Sequence, residues 1–509
     1  MRIVTGEEMA SIDAITINKI GLPGVVLMEN AGREIARRLI DLYGMEKRFL
    51  LFIGKGNNGG DGFAVARMLK EQGVSVVTCI VEDEAIFEGD AKLHKRVYEQ
   101  SGYRWRYWKE MNRTWSEVLC EVDVVVDAML GTGLRGAIRE PYTSIIKKIN
   151  LADKEIVSID LPSGVPAGEA EMEGEPISAD RTFTLQLMKL SYYLEATKPY
   201  YGEVETLPIG IPPATMNHLE AQRCVWGKDE VVNSWVKSNP FAHKGSNGRI
   251  GVIAGSQRMP GAAALSASAA IRGGAGLTTV GTVGTAIQTV ATHVKEAMYT
   301  AFSEQSGMIA PTEEELFAFY EGKAAIAIGP GIGRSTRIKA MIAHAIEHYT
   351  GILILDADAL VYVSELHDEV KKRRSPLVLT PHIGEMAHLA NESVDVVKQY
   401  RFTIAETYAQ TYQAHIILKG PHTIVANPNG GMTVNHSGNA GLAKGGSGDV
   451  LTGIVTALVA RQPLETALST AVFLHGHAAD LLINQGFSIN SLTPSDLIEG
   501  LAEAYKLCE

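Results

Sequence analysis

Short apolar runs alternate with helical patterns along this chain. Phe49–Ile53 is uninterrupted apolar, a glycine-rich stretch follows, and apolar positions at helical spacing run from Phe63 to Lys70. Ser75–Val81, Val122–Ala128 and Ile156–Ile159 repeat the start of that unit as buried strands followed by loops rich in Gly or Pro. Apolar strands separated by helices predict a parallel sheet covered on both faces, since a strand with one wet face alternates polar and apolar residues. Ahead of the first strand, Thr5-Gly6-Glu7-Glu8 has the capping-box form. It opens a helical region that Gly21, Pro23 and Gly24 interrupt and Val25–Tyr43 resumes.

Pro208, Pro212 and Pro213 close this region, and the alternation then restarts. Strands are predicted at Ile250–Ala254, Leu277–Val280, Ala324–Ile328, Ile352–Leu355, Leu377–Leu379, Ile416–Leu418 and Thr423–Val425, with a small-residue helix at Ala262–Arg272. Gly448–Ala460 and Thr466–Leu482 read as closing helices. The expectation is two α/β domains, residues 1–213 and 229–509, joined by a linker at 214–228, with a Rossmann-like three-layer αβα arrangement in the first. No fixed-period repeat points to a solenoid.

A length of 509 residues suits two or more domains. Hydrophobic content of 46% with 21% charged residues is ordinary for a chain with a normal core. The net charge of -11 argues against nucleic acid as a partner. It leaves room for a nucleotide site, because backbone amides and a few cations bind phosphate locally. Cys79, Cys120, Cys224 and Cys508 lie too far apart for zinc-ligand or CxxC spacing and read as reduced thiols. No apolar stretch of roughly 18 residues lacks charge, so neither a membrane span nor a membrane partner is expected. Glu7 and Glu8 stand where a signal peptide is apolar, so the cytoplasm is the expected location.

Candidate chemistry begins at Leu442–Val455, LAKGGSGDVLTGIV, where Gly445, Gly446, Ser447 and Gly448 run into Asp449 at the start of an apolar helical pattern. The first turn of a helix has N–H groups without partners and a partial positive charge, and glycines let a ligand approach the backbone closely. Together they form a cradle for a phosphate or an oxyanion. The dipole favours ionised Asp449 by roughly 0.3–1 kcal/mol, ready to take a proton from a substrate hydroxyl. Asp is equally a favoured cap after a Gly-rich turn. The neighbourhood shifts the balance toward a site. Lys419-Gly420-Pro421-His422-Thr423, Gly329-Pro330-Gly331-Ile332-Gly333 and Thr380-Pro381-His382-Ile383-Gly384-Glu385 each follow a predicted strand, and Asn435-His436-Ser437-Gly438-Asn439 precedes the cradle. Ligands of open α/β sheets sit beyond the carboxyl ends of the strands.

From about residue 229 to 509 the chain resembles the ribokinase-like fold, and within it the NAD(P)H-hydrate dehydratase branch. The matching segments include His243-Lys244-Gly245, Gly248-Arg249, Gly255-Ser256, Pro260-Gly261-Ala262, Gly329-Pro330-Gly331, Asp356-Ala357-Asp358-Ala359-Leu360, Thr380-Pro381-His382, Lys419-Gly420 and Gly446-Ser447-Gly448-Asp449. Ser447 and Ile383 stand where that family often has Met and Pro, and neither departure removes a chemical side chain. The resemblance implies a nicotinamide dinucleotide hydrated at C6 as substrate, phosphorylation of its hydroxyl by ADP or ATP, and loss of phosphate with a C5 proton. It implies Asp449 as the base. Lys419, Gly420, Thr423, Asn439, Gly445, Gly446, Ser447 and Gly448 become the nucleotide site, and Ala264, Gly331 and His382 face the hydrated cofactor. The fused layout resembles prokaryotic members, which typically use ADP. Asp356 and Asp358 are either turn residues or ligands of Mg2+, a metal that favours one or two carboxylates plus phosphate oxygens.

In the first domain, Gly54, Gly56 and Gly59 satisfy GxGxxG, and Glu82 and Asp83 lie roughly twenty residues on, where a ribose-binding acid belongs. A dehydrogenase-type site and a tight turn capped by Asp61 both fit that stretch alone. Asp127-Ala128-Met129-Leu130-Gly131-Thr132-Gly133 and Ser158-Ile159-Asp160-Leu161-Pro162-Ser163-Gly164 follow later strands. With Met28-Glu29-Asn30-Ala31-Gly32, these loops resemble the NAD(P)H-hydrate epimerase family over residues 1–213. The resemblance implies that the ring nitrogen expels hydroxide from C6 and water re-adds on the other face. Asp160 is then the acid/base. Asn57, Asn58, Gly59, Gly60 and Asp61, with Gly131, Thr132, Gly133, Leu134, Arg135, Gly136 and Ala137, hold the dinucleotide. Asn58, Asp127 and Ser163 are the implied ligands of K+, oxygen donors of the hard type. Taken singly, Asp127 and Ser163 also suit plain turns.

His475-Gly476-His477 with Asp480 imitates a metal cluster, but i, i+2 positions face apart on a helix, so packing is expected. Lys371-Lys372-Arg373-Arg374 reads as a solvated loop before Pro376 rather than a nucleic-acid patch. The expected function is repair with two activities: the first domain interconverts R and S hydrates of NADH and NADPH (NADHX and NADPHX), and the second dehydrates the S form. The expected assembly is a homo-oligomer, tetramer or larger. A ribokinase-like small-molecule kinase with a dinucleotide-binding domain is the alternative enzyme, marked by a stable phosphorylated product. A non-catalytic dinucleotide sensor is the other, marked by binding without turnover.

Overall fold

A computed structural model describes residues 1–83, 86–219, 222–237 and 239–509. Two compact units divide the chain, Met1–Ala221 and Gln222–Glu509. In the first, α1 (Gly6–Ile15) and α2 (Gly24–Tyr43) precede β1 (Phe49–Ile53), α3 (Asn57–Glu71), β2 (Val76–Ile80), α4 (Gly89–Gln100) and β3 (Arg106–Tyr107). Then come β4 (Val124–Ala128), α5 (Tyr142–Asn150), β5 (Glu155–Ile159), β6 (Arg181–Leu185) and β7 (Glu203–Leu207). The seven strands lie in the order β3-β2-β1-β4-β5-β6-β7, all parallel. Phe49, Leu51 and Ile53 join one core, and Leu50 and Phe52 join the core on the opposite face. Burial on both faces is why β1 reads as an unbroken apolar run. Strand order reverses direction between β1 and β4, which opens a crevice at their carboxyl ends.

The capping box at α1 forms as expected, with Glu8 N–H donating to Thr5 Oγ1 at 3.2 Å and Thr5 N–H to Glu8 Oε2 at 2.8 Å. One boundary differs. The helix expected from Phe63 begins at Asn57, so the glycine cluster is the helix's first turns rather than a loop before it. Close packing explains it: a Cβ on Gly62 would stand 2.7 Å from Ala128 Cβ, and one on Gly32 of α2 2.5 Å from Ala64 Cβ.

The second unit is built on β8 (Arg223–Trp226), β9 (Arg249–Ile253), α6 (Pro260–Arg272), β10 (Leu277–Val283), β11 (Met298–Phe302), β12 (Ala325–Ile328), α7 (Thr336–His348) and β13 (Ile352–Leu355). It continues with β14 (Leu377–Leu379), α8 (Ile383–Ala390), α9 (Arg401–Tyr412), β15 (His415–Leu418), β16 (Ile424–Ala426), β17 (Met432–Asn435), α10 (Ser447–Val459) and α11 (Leu464–Asn484). Ten strands lie in the order β8-β17-β16-β15-β14-β13-β12-β9-β10-β11. The sheet is mixed, not purely parallel: β16 runs antiparallel to both β15 and β17. The small-residue helix α6 serves close packing, because a Cβ on Gly453 of α10 would stand 2.2 Å from the Ser266 carbonyl oxygen.

Two further expectations are corrected. The segment 214–228 is not a bare tether, since Arg223–Trp226 pairs in parallel with β17 as an edge strand; residues 220 and 221 lie outside the described residues. Arg373, read as part of a solvated loop, donates to the carbonyl oxygens of Ala345, Ile346, Tyr349 and Gly351, at 2.7 to 3.3 Å, and closes the carboxyl end of α7. A guanidinium's fan of donors suits the orphan carbonyls of a helix end. Among the described residues no helix is long and apolar enough to cross a membrane.

Candidate active sites

In the first unit the carboxyl ends of the central strands face a cavity of about 1300 Å³. Asn57, Asn58, Asp61, Gly131, Thr132, Gly133, Leu134, Arg135, Ala137 and Asp160 line it together. Gly59, Gly60 and Gly136 do not. A Cβ on Gly59 would stand 1.7 Å from the Gly54 carbonyl oxygen, and one on Gly60 2.5 Å from Met28 Sδ. These two glycines let α3 press against the β1 turn and α2, and that approach delivers Asn58 and Asp61 to the cavity.

Asn58, Asp127 and Ser163 converge around the turn after β4. Asp127 is fully buried and accepts from Ser163 Oγ at 2.5 Å, Ser163 N–H at 2.8 Å, Ser158 Oγ at 2.9 Å and Met129 N–H at 3.1 Å. Burial pushes its carboxyl above the ordinary range, against the pull of those donors. Asn58 donates from Nδ2 to the Leu130 carbonyl at 3.0 Å, and its buried Oδ1 has no partner among the described residues. An orphan amide oxygen beside a buried carboxylate suits a hard cation of low charge.

Asp160 follows β5 with φ of 67°, a backbone region that non-glycine residues enter at a cost. Its N–H donates to the Phe183 carbonyl at 2.8 Å, and its Oδ1 accepts from Leu185 N–H at 3.0 Å and from Lys189 Nζ. Lys189 is fully buried and also donates to the carbonyls of Leu185 at 3.0 Å and Leu187 at 3.1 Å. Asp13 of α1 and Asp61 of α3 line the same cavity. Burial first, then the Asp160 charge, raises Asp13 to about 6 against the opposing Lys189. Burial, then Asp160 and Asp13, raises Asp61 well above the usual carboxylate range. Sequence reasoning missed Asp13 and Lys189. The signals were present: Asp13 lies one helical turn after buried Met9 on the apolar face of α1, and Lys189 interrupts the apolar run Leu187–Leu190.

In the second unit, α10 starts at Ser447 after Gly446, which takes φ of 96° and turns the chain into the helix. Asp449 in that first turn, Gly331 after β12 and His382 before α8 line a cavity of about 730 Å³ with Asp358, Arg258 and Glu385. Ala264, Lys419, Gly420, Thr423, Asn439 and Gly445–Gly448 are not on its lining. Ala264 packs on the core instead. Asn439 accepts from Gly441 N–H at 3.0 Å and donates to Asp480 Oδ1 at 2.9 Å, the geometry of a cap on the short turn Ala440–Leu442. Lys419 reaches the helix start from its other side, close enough that a Cβ on Gly448 would stand 3.7 Å from its Nζ.

Asp356 organises this end of the sheet. It is buried after β13 and accepts from Lys419 Nζ at 2.8 Å, Thr380 Oγ1 at 2.6 Å and Thr452 Oγ1 at 2.5 Å. It thus joins the ends of β13, β14 and β15 to α10. Burial works to raise its pKa, but Lys419 and the hydroxyls hold it below the ordinary value. Asp356 is thus spent inside the protein, while Asp358 stays on the cavity wall and accepts from Gly333 N–H at 2.9 Å. Asp449 answers to the same charge. Burial, and next the Asp356 carboxylate, pushes it up to about 7, with Lys419 opposing. Desolvation and a like charge thus outweigh the helix dipole, which favours the ionised form of Asp449 by roughly 0.3–1 kcal/mol. A carboxyl that titrates near neutral pH is well matched to general-base work.

His475 is buried and bonds from Nε2 to the Ser447 carbonyl at 3.0 Å, and burial lowers its pKa to about 4. A neutral imidazole thus anchors the start of α10. His477 stacks on Phe473 at 5.2 Å. Among the described residues no group of three or more His, Cys, Asp or Glu side chains is placed to hold a metal.

Comparison with known proteins bears on both cavities. Residues 250–502 match the family model described as NAD(P)H-hydrate dehydratase, and residues 24–191 match that of the YjeF-related protein N-terminus. The chain is 33% identical over 495 residues to the bifunctional NAD(P)H-hydrate repair enzyme Nnr of Moorella thermoacetica, covering 94% of this chain and 92% of that one. It is 32% identical over 485 residues to the protein of the same name from Thermofilum pendens, covering 94% and 92%. Among solved structures it is similar to the ADP/ATP-dependent NAD(P)H-hydrate dehydratase of Bacillus subtilis, at 29% identity and a TM-score of 0.49, over 57% of this chain and 100% of that one.

Proposed function

The chain belongs to the family of bifunctional NAD(P)H-hydrate repair enzymes, and from that premise we propose how its residues divide the work. It is an epimerase and a dehydratase of hydrated nicotinamide cofactors, with a Rossmann-like first domain and a ribokinase-like second domain. We assign the epimerase to the first unit, Met1–Ala221, and the dehydratase to the second, Gln222–Glu509, which takes in the edge strand β8. One supplies the S epimer that the other consumes. The proposed substrates are NADHX and NADPHX.

In the second domain Asp449 takes the proton from the C6 hydroxyl as its oxygen attacks the terminal phosphoryl group of ADP, or of ATP as the alternative donor. With ADP, AMP departs. The nitrogen lone pair of the ring then expels phosphate, and loss of a C5 proton restores the dihydropyridine. Backbone N–H groups of Gly446 and Gly448 meet the charge that develops on the phosphoryl oxygens, while the Ser447 N–H holds the turn by donating to the Lys444 carbonyl at 3.2 Å. Lys419 adds a cation beside them, with Gly420 and Thr423 in its loop. Gly331 and His382 face the hydrated ring. Asp358 is the carboxylate available to Mg2+ carried on the nucleotide, in keeping with that ion's preference for few carboxylates plus phosphates. The observation that carries this reading is a carboxyl poised near neutrality, Asp449, set in the first turn of α10 beside the half-buried Lys419.

In the first domain Asp160 stands at the reacting carbon, and the loops at 57–61 and 131–137 hold the dinucleotide. Asn58 Oδ1 is the free ligand for K+, with Asp127 supplying charge and Ser163 the turn between them. The ion would offset the charge of the buried carboxylate and hold the turn after β4 in place. The expected reduced state of the four cysteines goes with a cytoplasmic setting, and the family resemblance with a homo-oligomer, tetramer or larger, which light scattering on the purified chain measures directly.

The test mixes purified protein with both epimers and ADP and follows dihydronicotinamide absorbance. Complete consumption with release of phosphate is expected. Persistence of the R form removes the epimerase half, and accumulation of a phosphorylated hydrate removes the dehydratase half.

A further inference from the structure

We propose that Asp61 is the acid that protonates the hydroxyl leaving C6 during epimerisation, while Asp160 accepts the proton of the incoming water. The proposal rests on the epimerase reading of this domain.

Asp61 is only 9% exposed, lines the cavity, and has no hydrogen-bond partner for its carboxyl among the described residues. A buried carboxyl left unpaired on a cavity wall is available to a ligand. Asp160 is placed otherwise. Its Oδ1 accepts from the fully buried Lys189 ammonium and the Leu185 amide, and its Oδ2 has no hydrogen-bond partner among the described residues. A carboxylate oxygen left open beside such an ion pair is placed to meet a developing cation and to accept a proton.

Three carboxyls, Asp13 of α1, Asp61 of α3 and Asp160 after β5, share the field of the Lys189 ammonium, while Lys55, Lys109, Arg135 and Arg139 also line the cavity. Like charges so close hold a proton among them. Burial is the largest influence on Asp61, and both other carboxyls add to it, so the proton resides there. Asp90 of α4 lines the same cavity, whereas Glu29 of α2 is occupied by Arg67 at 2.7 Å and His94 at 3.8 Å.

The step balances. The C6–O bond breaks with its electrons on oxygen, the Asp61 proton completes a water molecule, and the ring nitrogen's lone pair forms the C=N bond of an iminium ion. A second water forms a new C6–O bond on the opposite face, the C=N electrons return to nitrogen, and its surplus proton passes to Asp160 Oδ2. Asp61 is left ionised and Asp160 protonated. That is the form required for conversion in the reverse direction, or it resets by exchange with solvent.

The experiment uses the full chain without nucleotide and follows conversion of the purified R form to the S form by chromatography. Wild-type kcat falls as rising pH ionises Asp61. Asp61→Asn lowers kcat by about 100-fold or more and abolishes that alkaline limb. Asp13→Asn removes a charge that raises Asp61 and moves the limb to lower pH, so it carries the test even where Asp61→Asn fails to fold. ADP-dependent dehydration of the S form by the same preparations reports on the second domain. An Asp61→Asn chain as fast as wild type, or an Asp13→Asn chain with the limb unmoved, overturns the proposal. A wild-type chain that leaves the R form unconverted overturns the epimerase reading beneath it.

Discussion

Replacing Asp449 by Asn removes a carboxyl that burial and the Asp356 charge raise from 3.8 to about 7 in the folded chain. In the unfolded chain the same group ionises at its ordinary value. Below pH 3.8 both states are protonated and the group is neutral in the balance. As pH rises the unfolded chain ionises first, so stability falls progressively until the folded group also ionises near 7, and then levels off. The accumulated cost above that pH is about 4 kcal/mol, at roughly 1.36 kcal/mol for each pH unit separating the two values. Asn keeps the shape and carries no charge, so the variant lacks this slope. The expected gain is about 2 kcal/mol near pH 5 and about 4 kcal/mol near pH 8, the latter raising the melting temperature by roughly 8 °C or more for a domain of this size. Calorimetry reads it, with the transition of the second domain identified by its shift on adding ADP. In the same samples dehydration falls by about 100-fold or more while nucleotide binding persists. A variant no more stable than wild type near pH 8, or equally favoured at both pH values, would falsify the account of Asp449 as a buried carboxyl under repulsion.

Asp356→Asn strands the Lys419 ammonium and is expected to cost about 3 kcal/mol in denaturant unfolding. Because it also removes the charge that raises Asp449, the acid limb of the dehydration rate, set by ionisation of that base, moves to lower pH. Gly59→Ala places a methyl 1.7 Å from the Gly54 carbonyl oxygen. It is expected to cost about 3 kcal/mol and to remove epimerisation, with ADP-dependent dehydration of the S form retained. Potassium chloride raises the melting temperature of the first domain more than tetramethylammonium chloride does, and Asn58→Leu abolishes the difference.

The chain's own pattern determined the architecture wherever a segment's environment is written into its residues. β1 and β12 are apolar throughout, and β4 is apolar up to Asp127, because each is buried between neighbours on both faces, and that burial is what makes a run without alternation. The loops that follow them were legible for the same local reason: Gly, Asn, Asp and Ser serve tight reversals, and reversals at strand ends are where an open sheet binds ligands. Asp449 was singled out in that way, and Asp160 through the resemblance of the loop that carries it. Edge strands such as β7 and β8 escaped, since an edge needs backbone pairing and little burial; the strand expected at Thr423–Val425 formed as β16, but its antiparallel direction escaped because strand direction is a property of the partner. Tertiary structure alone decided the charge state of the sites. Lys189 reaches Asp160 across 29 positions, and Lys419 reaches Asp356 across 63. Whether a carboxyl is an anion or an acid depends on how much water it has lost and which charges the fold brings beside it. Neither quantity is a property of the residue or of its neighbours along the chain.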